Sequence, residues 1–81
     1  MASTKTKLTK SGYKALVEER KHLLEVTLEE IKQQLVEARS QGDLSENADY
    51  DAARDRQAET EGRIKQIEDI LANAEIIDEK K

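Results

Sequence analysis

Asp43, Glu46, Asp49 and Asp51 fall within nine residues of one another, and no Lys or Arg lies between Ser40 and Ala53. Carboxylates are hard oxygen ligands, and a pair such as Asp43 and Glu46 suits Mg²⁺, which keeps several waters and shares its other positions with phosphate. Two side chains cannot hold the ion tightly alone. They could complete a site whose other ligands come from another protein and a nucleic-acid phosphate, where a second metal activates water for in-line attack. The spacing also has a simpler meaning, since Asp at a helix N-cap with Glu three residues on is a capping-box arrangement, and both charges favour the positive end of a helix. On spacing alone the capping reading leads. It leaves Leu44 unexplained, an apolar side chain at a bend with nothing of its own chain to meet, and it leaves Asn47 and Tyr50 as a hydrogen-bonding group and an aromatic beside it.

The elements that position these residues are two long amphipathic segments. Before the bend, Leu24, Leu28, Ile31, Leu35 and Ala38 recur in steps of 4, 3, 4 and 3. After it, Tyr50, Ala53, Gln57, Thr60, Ile64, Ile67, Leu71 and Ala74 continue the same alternation over seven steps. Such 3–4 spacing is a heptad seam. Folded back antiparallel, the arms pair Ala38 with Tyr50, Leu35 with Ala53, Ile31 with Gln57, Leu28 with Thr60, Leu24 with Ile64 and Val17 with Leu71. Apolar weight then gathers away from the bend, and the layers near it are small or polar. The fold class expected is all-α, a long antiparallel coiled-coil hairpin with an acidic loop at its tip.

In this organisation residues 1–8 form a flexible tail, the arms run over about 9–41 and 46–75, the tip spans 42–50, and 77–81 begin a linker. Thr9 is a plausible N-cap, and Gly42 supplies the left-handed residue that commonly ends a helix. Thr27 followed by Glu30 has the form of a capping box, so a new helix could begin there after a kink near Glu25 and Val26; one continuous helix is the alternative. At 1.5 Å per residue the rod should reach roughly 45 to 50 Å. Ile76 and Ile77, adjacent at the end of the second arm, look like the start of a further element.

With 81 residues, of which 40% are charged and 36% hydrophobic, no Pro and two Tyr as the sole aromatics, the composition is that of long helices rather than of a thick core. Cysteine is absent, so no disulfide and no thiolate chemistry enters. The net charge of −4 divides unevenly: residues 1–40 carry eight bases and six acids, residues 41–81 six bases and twelve acids. A general nucleic-acid binder needs a basic stripe, and none of sufficient size is present. No run approaches the length of about 18 apolar residues that spans a membrane. His22 lies far from the bend, and Asp49 and Asp51 lack the Gly and downstream ligands of a calcium loop.

GDLSENADYDAARDRQ, residues 42–57, resembles the tip motif of the Gre transcript cleavage factors, the bacterial elongation factors of the GreA type. EGRIKQIEDILANAEIID, residues 61–78, is similar to that family's second arm and exit, and LTKSGYKALVEE, residues 8–19, to its N-terminal helix. The resemblance implies a cytoplasmic accessory factor whose coiled coil enters the secondary channel of a backtracked bacterial RNA polymerase. It implies that Asp43 and Glu46 help hold a Mg²⁺ shared with the polymerase, which then cleaves its own transcript. By the same resemblance Leu44, Ser45, Asn47, Ala48 and Tyr50 would contact the polymerase or support the acids, and Arg39 and Arg54 would form a basic spot meeting the RNA 3′ end. Taken alone, Arg39 is a cation near a helix C-terminus and Arg54 a solvated face charge.

Two departures from the family pattern stand out. Many members have Arg-Pro-Glu-Ile where this chain has Leu28-Glu29-Glu30-Ile31, which leaves the kink open. The family also has a C-terminal globular domain, and this chain is expected to stop in the connecting segment. Competing readings are a channel-plugging inhibitor with the same rod and a helical-hairpin dimerisation module. The last draws on Leu16, Leu23 and Ile70, apolar residues off the seam that leave room for weak homo-oligomerisation.

Overall fold

The computed structural model describes residues 5–43 and 46–77. The chain runs as strand β1 (Thr6–Thr9), helix α1 (Lys10–His22), a π-helical turn (Leu23–Thr27), helix α2 (Leu28–Arg39), helix α3 (Ala48–Ala72) and strand β2 (Ala74–Ile77). α1, the π turn and α2 follow one another directly as the first arm, and α3 returns alongside them as the second. The hairpin is 57 Å in its longest extent and 16 Å in its shortest. It is an all-α antiparallel coiled coil with a two-stranded sheet at its base.

The second arm follows its seam. Ala53, Thr60, Ile64 and Ile67 are buried along one stripe of α3, with Tyr50, Gln57, Leu71 and Ala74 half-buried on the same line. On the first arm Ile31 and Ala38 are buried, and Leu28 and Leu35, on the same line, are half-buried. Ile31 and Ile67, both fully excluded from solvent, are the largest side chains of the core. Toward the tip the core narrows to Ala38 and Ala53.

The upstream half of the first arm corrects the seam. Leu24 and Val17 are exposed at 39% and 41%, and Leu23 and Leu16 are the half-buried residues that face inward instead. The cause is the π turn. An α-helix turns through 3.6 residues, whereas an i→i+5 turn takes in an extra one, so the chain before Leu23 is rotated back by one position relative to the chain after Thr27. The inward positions step from Leu23 to Ile31 by eight residues where a heptad would take seven. Of the two alternatives expected at this point, the continuous helix is the one found, with a π turn inside it. Thr27 is helical with φ −65° and ψ −47° and makes no side-chain capping bond, so no helix restarts there, and the arm is continuous without being regular.

The base departs from the expected flexible tail. Thr6–Thr9 pair in parallel with Ala74–Ile77, in the register Thr6 to Ala74 and Thr9 to Ile77, and the Thr6 amide donates to the Asn73 carbonyl at 2.9 Å. Residues 6–8 are therefore a strand, and Ile76 and Ile77 are the further element that their adjacency suggested, its partner strand, so Ile77 is not linker. Thr9 caps α1 as expected, its hydroxyl accepting from the Gly12 amide at 3.0 Å.

Polar pairs tie the arms along their length. Arg20 meets Glu68 at 2.9 Å, Arg63 holds Glu19 through two bonds of 2.8 and 2.9 Å, and Arg56 reaches Glu30 at 3.5 Å and the Gln34 amide oxygen at 3.1 Å. Exposed pairs of this kind contribute roughly 0.2 to 1 kcal/mol each, so they set register more than they hold the fold.

Candidate functional site at the tip

The bend begins where α2 runs out of partners for its carbonyls. Ser40 closes the helix, its amide bonding back to Val36 and Glu37 and its hydroxyl donating to the Glu37 carbonyl at 2.6 Å. Gly42 follows with φ +119°, a backbone state that side chains with a Cβ rarely adopt, and there the chain leaves the helical path. A turn in which the Glu46 amide bonds the Asp43 carbonyl at 3.4 Å brings the chain round to α3.

α3 does not begin at the capping box expected at Asp43 and Glu46. Asn47 is the N-cap of α3, with φ −97° and ψ 98°, and its side-chain oxygen accepts from the Tyr50 amide at 3.0 Å. Its side-chain nitrogen donates to the Ala38 carbonyl at the end of α2. One amide thus caps the second arm and ties it to the first, a role that its spacing to Tyr50 and its Asx chemistry could have signalled. Asp49 and Asp51, in the first turn, supply the charge that favours the helix dipole. The second arm therefore starts at Ala48 rather than 46, and the first ends at Arg39 rather than 41.

With Asn47 acting as the cap, Asp43 and Glu46 project as exposed residues just outside the helix. They line one shallow, open depression together with Gln41, Asn47, Ala48 and Asp49. Among the described residues no three His, Cys, Asp or Glu side chains are grouped to hold a metal ion. The donor set fits a Mg²⁺ as a partial one: hard carboxylate oxygens, open to a second protein, too few to bind the ion tightly alone. Leu44 and Ser45 lie outside the described residues. Ala48 is exposed at the head of α3, and Asn47 is turned into the hairpin.

Arg39 and Arg54 come from opposite arms and meet at Tyr50. The Arg39 guanidinium lies 6.0 Å from the centre of the Tyr50 ring, and Arg54 Nη1 donates to the Tyr50 hydroxyl at 3.4 Å. Hydrogen bonding from Arg39 first, and from Arg54 second, holds the phenol below its usual pKa. Ion pairs among the described residues engage Arg20, Arg56 and Arg63, and neither Arg39 nor Arg54. His22 is exposed at the end of α1, midway along the first arm and far from the acids, and plays no part in this arrangement.

Residues 6–76 match the family model described as the N-terminal domain of transcription elongation factors. Transcription elongation factor GreA of Mycoplasma capricolum is 58% identical over 74 residues, which is 91% of this chain and 47% of that protein. GreA of Rickettsia canadensis is 54% identical over 76 residues, 94% of this chain and 47% of its own length, and GreA of Syntrophotalea carbinolica 53% identical over 70 residues, 86% and 44%. The chain spans about half the length of the curated relatives it matches. It belongs to the GreA and GreB family of transcription elongation factors, of which it has the N-terminal coiled-coil domain.

Proposed function

We propose that this chain is the part of a bacterial elongation factor that enters the secondary channel of RNA polymerase tip first and stimulates the polymerase's own cleavage of a backtracked transcript. The observation that carries the reading is the placement of Asp43 and Glu46, two exposed carboxylates at the point of a rod 57 Å long, outside the helix that spacing alone would have had them cap. Two open carboxylates without a substrate clamp do no phosphoryl chemistry by themselves, so the enzyme is the polymerase and this chain its accessory. Mg²⁺ shared between these carboxylates and the polymerase would supply Lewis-acid activation of water for in-line attack on the phosphodiester. Asp43 and Glu46 would hold it through their carboxylate oxygens, Asn47 and Gly42 fix the direction in which these are presented, and Arg39 and Arg54 would face the displaced RNA 3′ end. The work takes place in the cytoplasm, where the polymerase is.

The test is transcript shortening in a stalled, backtracked elongation complex with added Mg²⁺, at high protein concentration. The parent chain should shorten the transcript and the Asp43→Ala/Glu46→Ala double variant should not. Equal activity of the two sinks the proposal, and slowed nucleotide addition without shortening would make the chain a channel-plugging inhibitor.

A second reading rests on Val17, Leu24, Val26 and Val36, all large apolar side chains exposed along the first arm. They support weak self-association, which sedimentation at micromolar concentration measures. A tight dimer indifferent to changes at residues 43–50 would make self-association the main activity.

A further inference from the structure

Each arm carries one irregularity in its helix, and the two lie at the same height of the rod. On the first arm it is the π turn Leu23–Thr27, after which the Leu28 amide donates to the Leu23 carbonyl five residues back. On the second it is Gly62, inside α3 and exposed to solvent. The ion pairs fix the heights. Arg20 with Glu68 and Glu19 with Arg63 lie on the base side of the π turn, and Glu30 with Arg56 lies on its tip side. In an antiparallel pair the π turn therefore faces the part of α3 between Arg56 and Arg63, which holds Gly62.

No contact in the fold calls for a glycine there. Its φ is not positive, and a Cβ built on it would meet no atom within 4 Å. Apart from proline, glycine supports a helix interior least well, so its effect is to weaken α3 opposite the π turn. Side-chain packing offsets little of this. Leu24 and Val26 are exposed, Leu23, Thr27 and Gln57 are half-buried, and the inward residue of α3 is the polar Thr60. Among the described residues no ion pair or side-chain hydrogen bond joins the arms within this interval. To either side the core is apolar, with Ile64 and Ile67 buried toward the base and Ile31, Ala38 and Ala53 toward the tip.

We propose that residues 23–27 and 57–62 form a hinge across both arms, about which the tip half of the rod bends as one body against the base half. π turns are among the few places where a helix kinks by more than about 20°. From Val26 to Asp43 the arm runs roughly 25 Å at 1.5 Å per residue, so a bend of about 20° carries the tip acids roughly 9 Å sideways. The hinge does not depend on the function proposed above. In that function it would let a straight rod deliver its acids to a point off its own axis.

The test uses the chain alone, weakly aligned in an uncharged gel, with residual dipolar couplings of the backbone amides measured by nuclear magnetic resonance. Residues 10–22 and 63–72 report the base half, and residues 28–39 and 48–56 the tip half. A hinge averages the two halves differently, so their fitted alignment magnitudes should differ, whereas a rod that is bent but rigid gives one magnitude for both. Gly62→Ala should narrow the difference, and deleting Glu25 as well should remove it. Gly62→Ala should also slow amide hydrogen exchange at residues 62–66 about fivefold, which corresponds to the roughly 1 kcal/mol of helix propensity between Gly and Ala. Circular dichroism checks that the helicity of both variants is kept. Equal magnitudes in the parent, a difference that survives both changes, or exchange no slower in Gly62→Ala would each overturn the proposal. Failure of the polymerase reading shows separately, in the cleavage assay with the Asp43→Ala/Glu46→Ala variant, because no polymerase enters these measurements.

Discussion

Replacing Asn47 by Ala should be the most costly single change at the tip, although the residue is only half-buried. Its side chain makes two bonds that nothing nearby can replace: the cap to the Tyr50 amide at 3.0 Å and the link to the Ala38 carbonyl on the other arm. Loss of an N-cap costs about 1 kcal/mol, and loss of a net hydrogen bond about 0.5 to 1.5 kcal/mol. Together these give a loss of roughly 1.5 to 2.5 kcal/mol, and for a domain of this size that lowers Tm by roughly 6 to 20 °C. Asn47→Asp separates the two parts. It keeps the capping acceptor and gains about 0.3 to 1 kcal/mol at the helix N-terminus, but it sets a carboxylate against the Ala38 carbonyl in place of a donor, so its cost should fall near half that of alanine. Thermal and urea unfolding followed by circular dichroism measure both. An Asn47→Ala variant within about 0.5 kcal/mol of the parent, the scatter of ordinary surface substitutions, would refute the reasoning.

Deleting Glu25 should convert the π turn to α-helix and make the 16–23–31 line a continuous heptad, leaving Tm unchanged or raised. Deleting Gln33, in regular α2, should rotate the upstream arm off its seam and cost roughly 2 to 4 kcal/mol, the burial of one or two large aliphatics. Arg63 holds the Glu19 carboxyl below the ordinary range of a glutamate, mainly through their hydrogen bonds, so the pair's contribution is complete above that range and is lost as pH falls through the depressed value. Because both side chains are 39% exposed, Glu19→Gln should cost under about 1 kcal/mol at pH 7 and nothing once the parent's carboxyl is protonated, as unfolding curves across that range would show. The Tyr50 phenol is also depressed, so the Arg contacts favour its ionised form, and that contribution to stability grows as pH rises from the folded value toward the unfolded one. Phenolate absorbance should show Tyr50 titrating below its ordinary pH, moved up by Arg39→Ala and by Arg54→Ala.

The second arm was legible because one period governs all of it, and each seam residue from Tyr50 to Ala74 is buried or half-buried. The first arm was legible only as far back as Leu28. Leu23 and Leu24 are identical and adjacent, so a seam extended backwards by four lands on Leu24 without any sign that the chain has gained a residue. The true phase is visible in Tyr13, Leu16, Arg20 and Leu23, which repeat by 3 and 4 among themselves, one residue out of step with the line from Leu28. Of the sheet, Ile76 and Ile77 signalled a further element, whereas Thr6–Thr9 gave no local signal, because four such residues acquire their pairing from a partner at Ala74–Ile77, distant in sequence. At the tip, the side-chain pattern singled out the acids, and the cap that spacing alone assigned to Asp43 belongs to Asn47. Two neighbouring residues could each cap α3, and Asn47 wins because it also satisfies a carbonyl of the opposite arm, which Asp43 with only acceptors could not do when ionised.

That competition explains how so thin a protein can hold charges in place at its point. Burial cannot do it: the core shrinks from Ile67 and Ile31 to Ala38 and Ala53 as the tip is approached, and a core of methyl groups gives little resistance to splaying. The last turns are closed by polar links instead, Asn47 across to Ala38, and Tyr50 gathering Arg39 and Arg54 from the two arms. Small side chains there keep the rod narrow, which a bulkier core would not. Those links use the Asn47 amide and the Tyr50 phenol rather than carboxylates, and Asp43 and Glu46 lie exposed beside them, lining an open depression.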